Sequence, residues 1–465
     1  MDLVSALRLE PSSQSSASKR RPQVVSFTGG GGKTSTMRRL AGELAGRGQR
    51  VVCTSTTRLA AYEVEASPGV VLVGEARLPF DQIAVALGLH TQCLLVTPEI
   101  VDGDLPKYPG IAPDLVDELA LRAAEYGIDA IVVEADGAKM LPLKGPAEHE
   151  PSLPSSTTLL APVAGMDALG LRIEASLVHR PEQIRKVLGL ALDAEARVTP
   201  ARLAELLVSP AGGRKGLTPR TRFLPILNKA ESAAYLAGAR VAACQITQSH
   251  TPCLIATTGN REREPVRERW GPIAVVILAA GEGKRFGSPK QLATFDGEPM
   301  VVRAVNTALC AGCADVVVVT GAYADDVAAC LERSLEAPPS NVRLVHNSDW
   351  EGGQATSLHA ALRGIGDEYE AALFMPVDQP LLSPVLLRKL VGLWRSGYAL
   401  AAPRVDGTVR GSPALFDRDF WPELLRIDGD VGGRELLRRH AELVGTAEVD
   451  GQMLRDIDTT DQMQP

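Results

Sequence analysis

Twice in 465 residues, a short apolar run leads straight into a glycine-rich loop that ends on basic residues. Val24-Val25-Ser26-Phe27 opens into Thr28-Gly29-Gly30-Gly31-Gly32-Lys33-Thr34-Ser35-Thr36. Ile273-Ala274-Val275-Val276-Ile277-Leu278 opens into Ala279-Ala280-Gly281-Glu282-Gly283-Lys284-Arg285. A buried strand whose carboxyl end becomes such a loop is the opening of an α/β fold with a largely parallel sheet. The chain is also too long for one hydrophobic core, so the expectation is two α/β domains. Short apolar runs alternate with helical patterns in both halves. In the second half, strands are predicted at 273–279, 315–320, 342–346, 371–377 and 398–403, with helices that include 299–311 and 355–364. The expected divisions are a disordered Ser-rich lead-in over 1–21, a first domain over 22–259, a charged linker over 260–271 and a second domain over 272–465.

Composition narrows the functional class. A formal charge of −7 disfavours a general nucleic-acid binder, which needs a basic face. No apolar run approaches the roughly 18 residues of a membrane helix, and the N-terminus lacks a secretory pattern. Seven Cys, an odd number without framework spacing, suit reduced thiols and a cytoplasmic location. Cys310 and Cys313 form a lone C-x-x-C, which fits small core-filling side chains better than a zinc site.

The second loop carries the clearer chemistry. Its glycines let backbone N–H groups approach a phosphate chain, and Arg285 and Lys290 would neutralise a departing pyrophosphate. Further on, Leu373-Phe374-Met375-Pro376-Val377-Asp378-Gln379-Pro380 reads as a buried strand ending in a carboxylate, where open α/β sheets bind ligands. Asp378 is expected to hold Mg²⁺ against an α-phosphate; the alternative is a helix N-cap, because a helix begins near Pro384. Residues 273–465 resemble the MobA-like nucleotidyltransferases, specifically their molybdenum cofactor cytidylyltransferase branch. The likeness extends through the Asn347–Leu358 segment, Gly411-Ser412-Pro413, Gly429–Arg434 and Asp456-Ile457-Asp458-Thr459. It implies a Rossmann-like domain in which Leu278, Ala279, Ala280, Gly281, Gly283, Lys290, Gly352 and Ser357 bind the nucleotide. Asp378 and Asp458 would be the Mg²⁺ ligands, with Asp456 a substitute for the latter. Leu278-Ala279-Ala280-Gly281 matches the branch that uses CTP. The implied reaction transfers CMP to molybdopterin, and another phosphorylated acceptor such as a sugar or polyol phosphate is the alternative.

The first loop has the form G-x-x-G-K-T, shorter than a full P-loop because Phe27 stands six residues before Lys33. It predicts a P-loop-type site for ATP or GTP. Gly29, Gly30, Gly31, Gly32 and Ser35 would cradle phosphates, Lys33 would reach the outer ones, and Thr34 would ligate Mg²⁺. Ile131-Val132-Val133-Glu134-Ala135-Asp136 ends in two carboxylates suited to the same metal. Pro142–Pro151, dense in Pro and charge, reads equally as a surface loop or as recognition of a second ligand. Asn228-Lys229-Ala230-Glu231 is similar to the N-K-x-D of GTPases without its Asp, so it does not choose GTP over ATP. With Thr54–Arg58, these motifs resemble the YqeC family, accessory proteins for selenium-dependent molybdenum hydroxylases. The resemblance implies a role in maturation with an apo molybdenum hydroxylase as partner. A nucleotide-gated chaperone is the alternative for this half.

Overall fold

A computed structural model of the chain describes residues 1–9, 21–74, 77–101, 106–191, 195–284, 286–312, 315–335, 341–429 and 432–463. The chain divides into two compact units, Met1–Trp270 and Gly271–Pro465. Among the described residues, no helix is long and apolar enough to cross a membrane.

The first unit is built on a ten-stranded sheet. Its central strands run in the order Ile226–Asn228, Leu159–Gly165, Gln23–Gly29, Ala130–Glu134 and Val51–Ser55, all parallel. Each is buried on both faces, which is why these segments read as continuous apolar runs instead of alternating ones. Gln23–Gly29 and Ala130–Glu134 lie side by side in register Phe27↔Glu134, so the glycine loop and the two-carboxylate strand end share one edge of the sheet.

Two stretches of this unit depart from the expected divisions. Residues 1–9 of the expected lead-in are structured. Leu3–Ala6 forms a short helix capped by Asp2, whose carboxylate accepts from Ser5 N. Leu3, Val4 and Leu7 are fully buried, and Glu43 accepts hydrogen bonds from Leu3 N and Val4 N. Residues 10–20, the Ser-rich part, lie outside the described residues. Leu7→Ala should therefore destabilise the first unit by about 2–4 kcal/mol, the usual result of emptying a buried Leu site, measured by urea unfolding.

The expected linker also contains structure. Val266–Trp270 is an edge strand antiparallel to Cys253–Ala256. Its alternation is strict, with Val266, Glu268 and Trp270 turned in and Arg267 and Arg269 less buried. Charge density hid this period of two. Glu268 is tolerated inside because it accepts from Arg240 and from Trp270 Nε1.

The second unit carries an eight-stranded mixed sheet. Val342–His346, Asp315–Thr320, Ile273–Ala279 and Ala371–Pro376 are parallel neighbours in that order, and Ala414–Asp417 then joins antiparallel. The strand expected at 398–403 is Leu400–Val405. Helices Met300–Cys310 and Gln354–Ile365 pack against the sheet through separate apolar clusters. Ile273–Ala279 and Ala371–Pro376 are adjacent, which puts the second glycine loop and Asp378 at one sheet edge.

Candidate functional site

In the second unit, Ala279 and Ala280 are buried at 2% and 5% exposure. A Cβ on Gly321 would come within 2.5 Å of the Ala280 carbonyl oxygen, so small residues here allow the next loop to press close. At Gly283 the backbone is left-handed, with φ +69, and Phe286 N donates to its carbonyl. This turn brings the chain back so that Lys290 faces the sheet edge. Arg285 lies outside the described residues.

Lys290 holds the centre of the site. Its Nζ donates to Asp378 Oδ2 at 2.7 Å and to Asp458 Oδ1 at 3.0 Å. Asp378 is not a helix cap: the helix Pro384–Arg395 is capped by Ser383, which accepts from Leu386 N. Ile457 N donates to the Asp378 carbonyl, which pins the C-terminal segment beside the strand end. Burial is the largest single influence on the Lys290 ammonium and pulls its pKa down, yet Asp378 and then Asp458 outweigh it and hold the pKa above its usual value. Burial raises the Asp456 carboxyl, and the neighbouring Asp378 and Asp458 add to the effect.

Two residues not singled out from sequence support this cluster. Gln379 Nε2 donates to Asp456 Oδ1 at 3.0 Å, and Arg303 Nε donates to the Pro380 carbonyl. Gln379 was within sight, adjacent to Asp378; Arg303 comes from a helix with no local motif.

The cluster borders a cavity of about 900 Å³ whose wall includes Leu278, Gln354, Asp378, Arg410, Ser412 and Asp458. Ser357 is placed elsewhere. It is 6% exposed and bonded through its hydroxyl to Asn347 Nδ2. Gly352 packs on the Asp349 carboxylate. Gln354 and Leu358 of the same helix face the cavity instead. Among the described residues, no group of three or more His, Cys, Asp or Glu stands assembled for a metal. Two carboxylates sharing one ammonium do fit a hard divalent cation that takes its remaining ligands from phosphate and water oxygens.

The first unit holds a denser charge cluster. Lys33, Glu134, Asp136, Lys144 and Glu150 are all less than 9% exposed. Lys33 Nζ lies 3.1 Å from Asp136 Oδ1 and 3.6 Å from Glu134 Oε1, and it donates to the Gly29 carbonyl. Thr34 Oγ1 donates to Glu134 Oε2 at 2.7 Å. Lys144 sits 3.0 Å from Asp136 Oδ2 and 2.6 Å from Glu150 Oε2, and Arg180 closes the chain on Glu150. The Pro142–Pro151 segment thus supplies an internal cation and anion.

The glycines of the first loop are spent partly on packing. A Cβ on Gly31 would fall 2.1 Å from Gly165 N, and one on Gly29 would fall 2.3 Å from Val163 O. Gly29 N donates to Asp136 Oδ2, Gly30 N to Val163 O and Gly31 N to Leu141 O. The backbone N–H groups that a helix start leaves without internal partners are those of Gly32, Lys33, Thr34 and Ser35, at the start of the helix Lys33–Gly46. Asn228 clamps this loop: its Nδ2 donates to Gly31 O while its Oδ1 accepts from Thr258 N. Lys229 is paired with Asp167 at 2.6 Å. The hydroxyls of Thr54, Ser55 and Thr56 serve backbone carbonyls of Leu95, Glu134 and Ser152.

Burial is also the main cause of the raised Glu134 pKa. It pulls the pKa of Lys33 down most strongly, but Asp136 and Glu134 override it and leave the ammonium above its usual value. Burial lowers His179 to about 4, assisted by Arg180 and Lys144. Glu150 is lowered to about 2, because hydrogen bonds from Arg180 and Lys144 overcome a larger burial effect. Both groups bind protons more readily when unfolded, so their stabilisation is complete above about pH 6.5 and is lost as pH falls. His179 acts between 6.5 and about 4, and Glu150 between 4.5 and about 2. The melting temperature of the first unit should fall below pH 6.5, and His179→Gln should flatten the upper part of that decline.

The sequence profile described as YqeC protein matches residues 25–182, and that of the MobA-like NTP transferase domain matches 275–443. The uncharacterized protein YqeC of Escherichia coli (strain K12) is 31% identical over 213 residues, 45% of this chain and 77% of that protein. Nicotine blue oxidoreductase of Paenarthrobacter nicotinovorans is 35% identical over 198 residues, 40% of this chain and 93% of that protein. Among solved structures, Rv0371c from Mycobacterium tuberculosis H37Rv aligns at 28% identity and TM-score 0.36, over 41% of this chain and 94% of that one.

Proposed function

The chain belongs to the YqeC family through its first unit and to the MobA-like NTP transferases through its second, and from this we propose that it is a bifunctional molybdenum cofactor maturation protein. The second unit transfers CMP from CTP to molybdopterin. The observation that carries this reading is Lys290 held between Asp378 and Asp458 at the edge of the 900 Å³ cavity.

A terminal phosphate oxygen of the acceptor forms a bond to the α-phosphorus as the α–β P–O bond breaks and pyrophosphate leaves. The nucleophile is already anionic, so no side chain need take a proton. Asp378 and Asp458 would hold Mg²⁺, which neutralises charge on the transferring phosphate. Lys290, once released from the carboxylates, is placed to pair with the departing pyrophosphate; Arg285 is assigned the same task. Gln379 and Ile457 keep the two acidic segments together.

The first unit binds ATP or GTP at the start of the helix Lys33–Gly46 and serves maturation of a selenium-dependent molybdenum hydroxylase. Thr34, whose hydroxyl donates to Glu134 at 2.7 Å, would hold Mg²⁺ together with Glu134 and Asp136, and the ion would neutralise phosphate charge. Incubation of the protein with Mg²⁺, CTP or GTP, and molybdopterin or a sugar phosphate, followed by mass spectrometry, tests the transfer. A cytosine dinucleotide product is expected. Exclusive use of the sugar phosphate would replace the acceptor.

A second reading is favoured by the relative named nicotine blue oxidoreductase. In it, the same cavity hosts an oxidoreduction, with an added diffusible electron donor or acceptor exchanging the two electrons with the substrate. Substrate turnover without Mg²⁺ and without pyrophosphate would select that reading.

A further inference from the structure

Beside the catalytic cavity lies a second pocket of about 590 Å³, lined by Val409, Leu437, Ala441 and Val444 and by Arg410, Arg434 and Arg438. Its size suits a small organic molecule. Arg410 and Arg434 line both spaces, so the two are neighbours that share these side chains.

Local geometry explains how these arginines are shared. Arg434 and Arg438 stand four apart on the helix Arg434–Arg439 and so share a face. Arg410 follows the strand Thr408–Val409, and Val444 and Thr446 come from the strand Val444–Glu448. The stem of Arg434 packs on Gly411, where an added Cβ would sit 3.0 Å from Arg434 Cβ. Glycine thus lets the arginine lie against a loop that lines the catalytic cavity.

Charge makes the pocket selective. Among the described residues, no carboxylate pairs with Arg410, Arg434 or Arg438. Among the described residues, the one acid in the lining is Glu435, which is bonded to Arg439 at 2.7 Å and also feels the charge of Arg438. Three arginines over an apolar wall match an anionic ligand with a flat, weakly polar body, because guanidinium binds phosphate in a fork and stacks on rings. A ligand held there with its phosphate on Arg410 and Arg434 would present that phosphate to the two side chains that also line the cavity of Asp378.

We propose that this pocket is the acceptor site, and that it selects a planar ring system carrying a phosphate. The inference rests on the second unit acting as a nucleotidyltransferase, but binding can be read without transfer. Arg438 borders this pocket and not the catalytic cavity, so it separates the two roles.

The test uses the full chain with Arg438→Ala, Arg438→Glu and Arg438→Lys. Binding of flavin mononucleotide, a fluorescent planar monophosphate, and of molybdopterin is titrated, and transfer kinetics are measured with CTP. Arg438→Ala should weaken binding of both probes about tenfold, Arg438→Glu more, and Arg438→Lys should restore part of the loss. The KM for molybdopterin should rise in parallel while that for CTP stays unchanged. Unchanged probe affinity in Arg438→Glu, or a rise in the KM for CTP alone, overturns the pocket assignment. If the wild-type protein transfers nothing to molybdopterin but Arg438 still governs probe binding, the transferase reading fails and the pocket stands.

Discussion

Asp378→Ala should lower the turnover of CMP transfer by at least about 10³-fold, the equivalent of ~4 kcal/mol of lost transition-state stabilisation. The variant should remain folded. Asp378 bonds to Lys290 at a partly open site, and Lys290 retains Asp458 at 3.0 Å. Breaking one half of such a clamp costs at most about 1 kcal/mol, so the melting temperature should move by only a few degrees. Steady-state kinetics at saturating CTP and Mg²⁺, with calorimetry as the folding control, check both parts. Near-normal turnover would remove the metal role from Asp378 and the assignment with it. Asp456→Asn is the informative companion. Asp456 is bonded to Gln379 and not to Lys290, so its replacement should cost far less activity than Asp458→Asn.

Lys33→Met should have its largest effect on stability. It leaves Glu134, 7% exposed, in the interior without the cation beside it, and takes from Asp136, 2% exposed, one of its two cations. Removing one partner of a buried ion pair costs about 3–5 kcal/mol, although Lys144 still compensates Asp136 at 3.0 Å. Nucleotide binding should also disappear. The two losses separate in the double variant Lys33→Met with Glu134→Gln, which no longer buries an unpaired carboxylate. That protein should regain much of the stability and none of the nucleotide affinity. Unfolding of the full chain by calorimetry and titration with a fluorescent ATP analogue read the two effects. If Lys33→Met kept its nucleotide affinity, the first loop would not be the phosphate site.

Local pattern was enough for several elements. The apolar runs at Gln23–Gly29, Ala130–Glu134, Ile273–Ala279 and Ala371–Pro376 are central parallel strands, and such strands announce themselves because both faces are buried. Edge elements were less legible. Val266–Trp270 shows only one apolar face, and its outward arginines made it resemble a linker. The opening helix is four residues long, too short for a periodic signal, and it is held by its Asp2 cap, by Glu43, by Arg47 and by the core.

By itself, the sequence determined the two strand–loop openings, the carboxylates at the strand ends and the family likenesses, because each is carried by neighbouring residues. Tertiary structure decided the partners. The fold brought Asp378 and Asp458, 80 residues apart in the chain, to one ammonium, that of Lys290. It also put Lys144 and Glu150 inside the first unit, and it turned three glycine N–H groups of the first loop toward the protein's own acceptors. A buried ammonium must find its counterions in three dimensions, and no local spacing states where they will be.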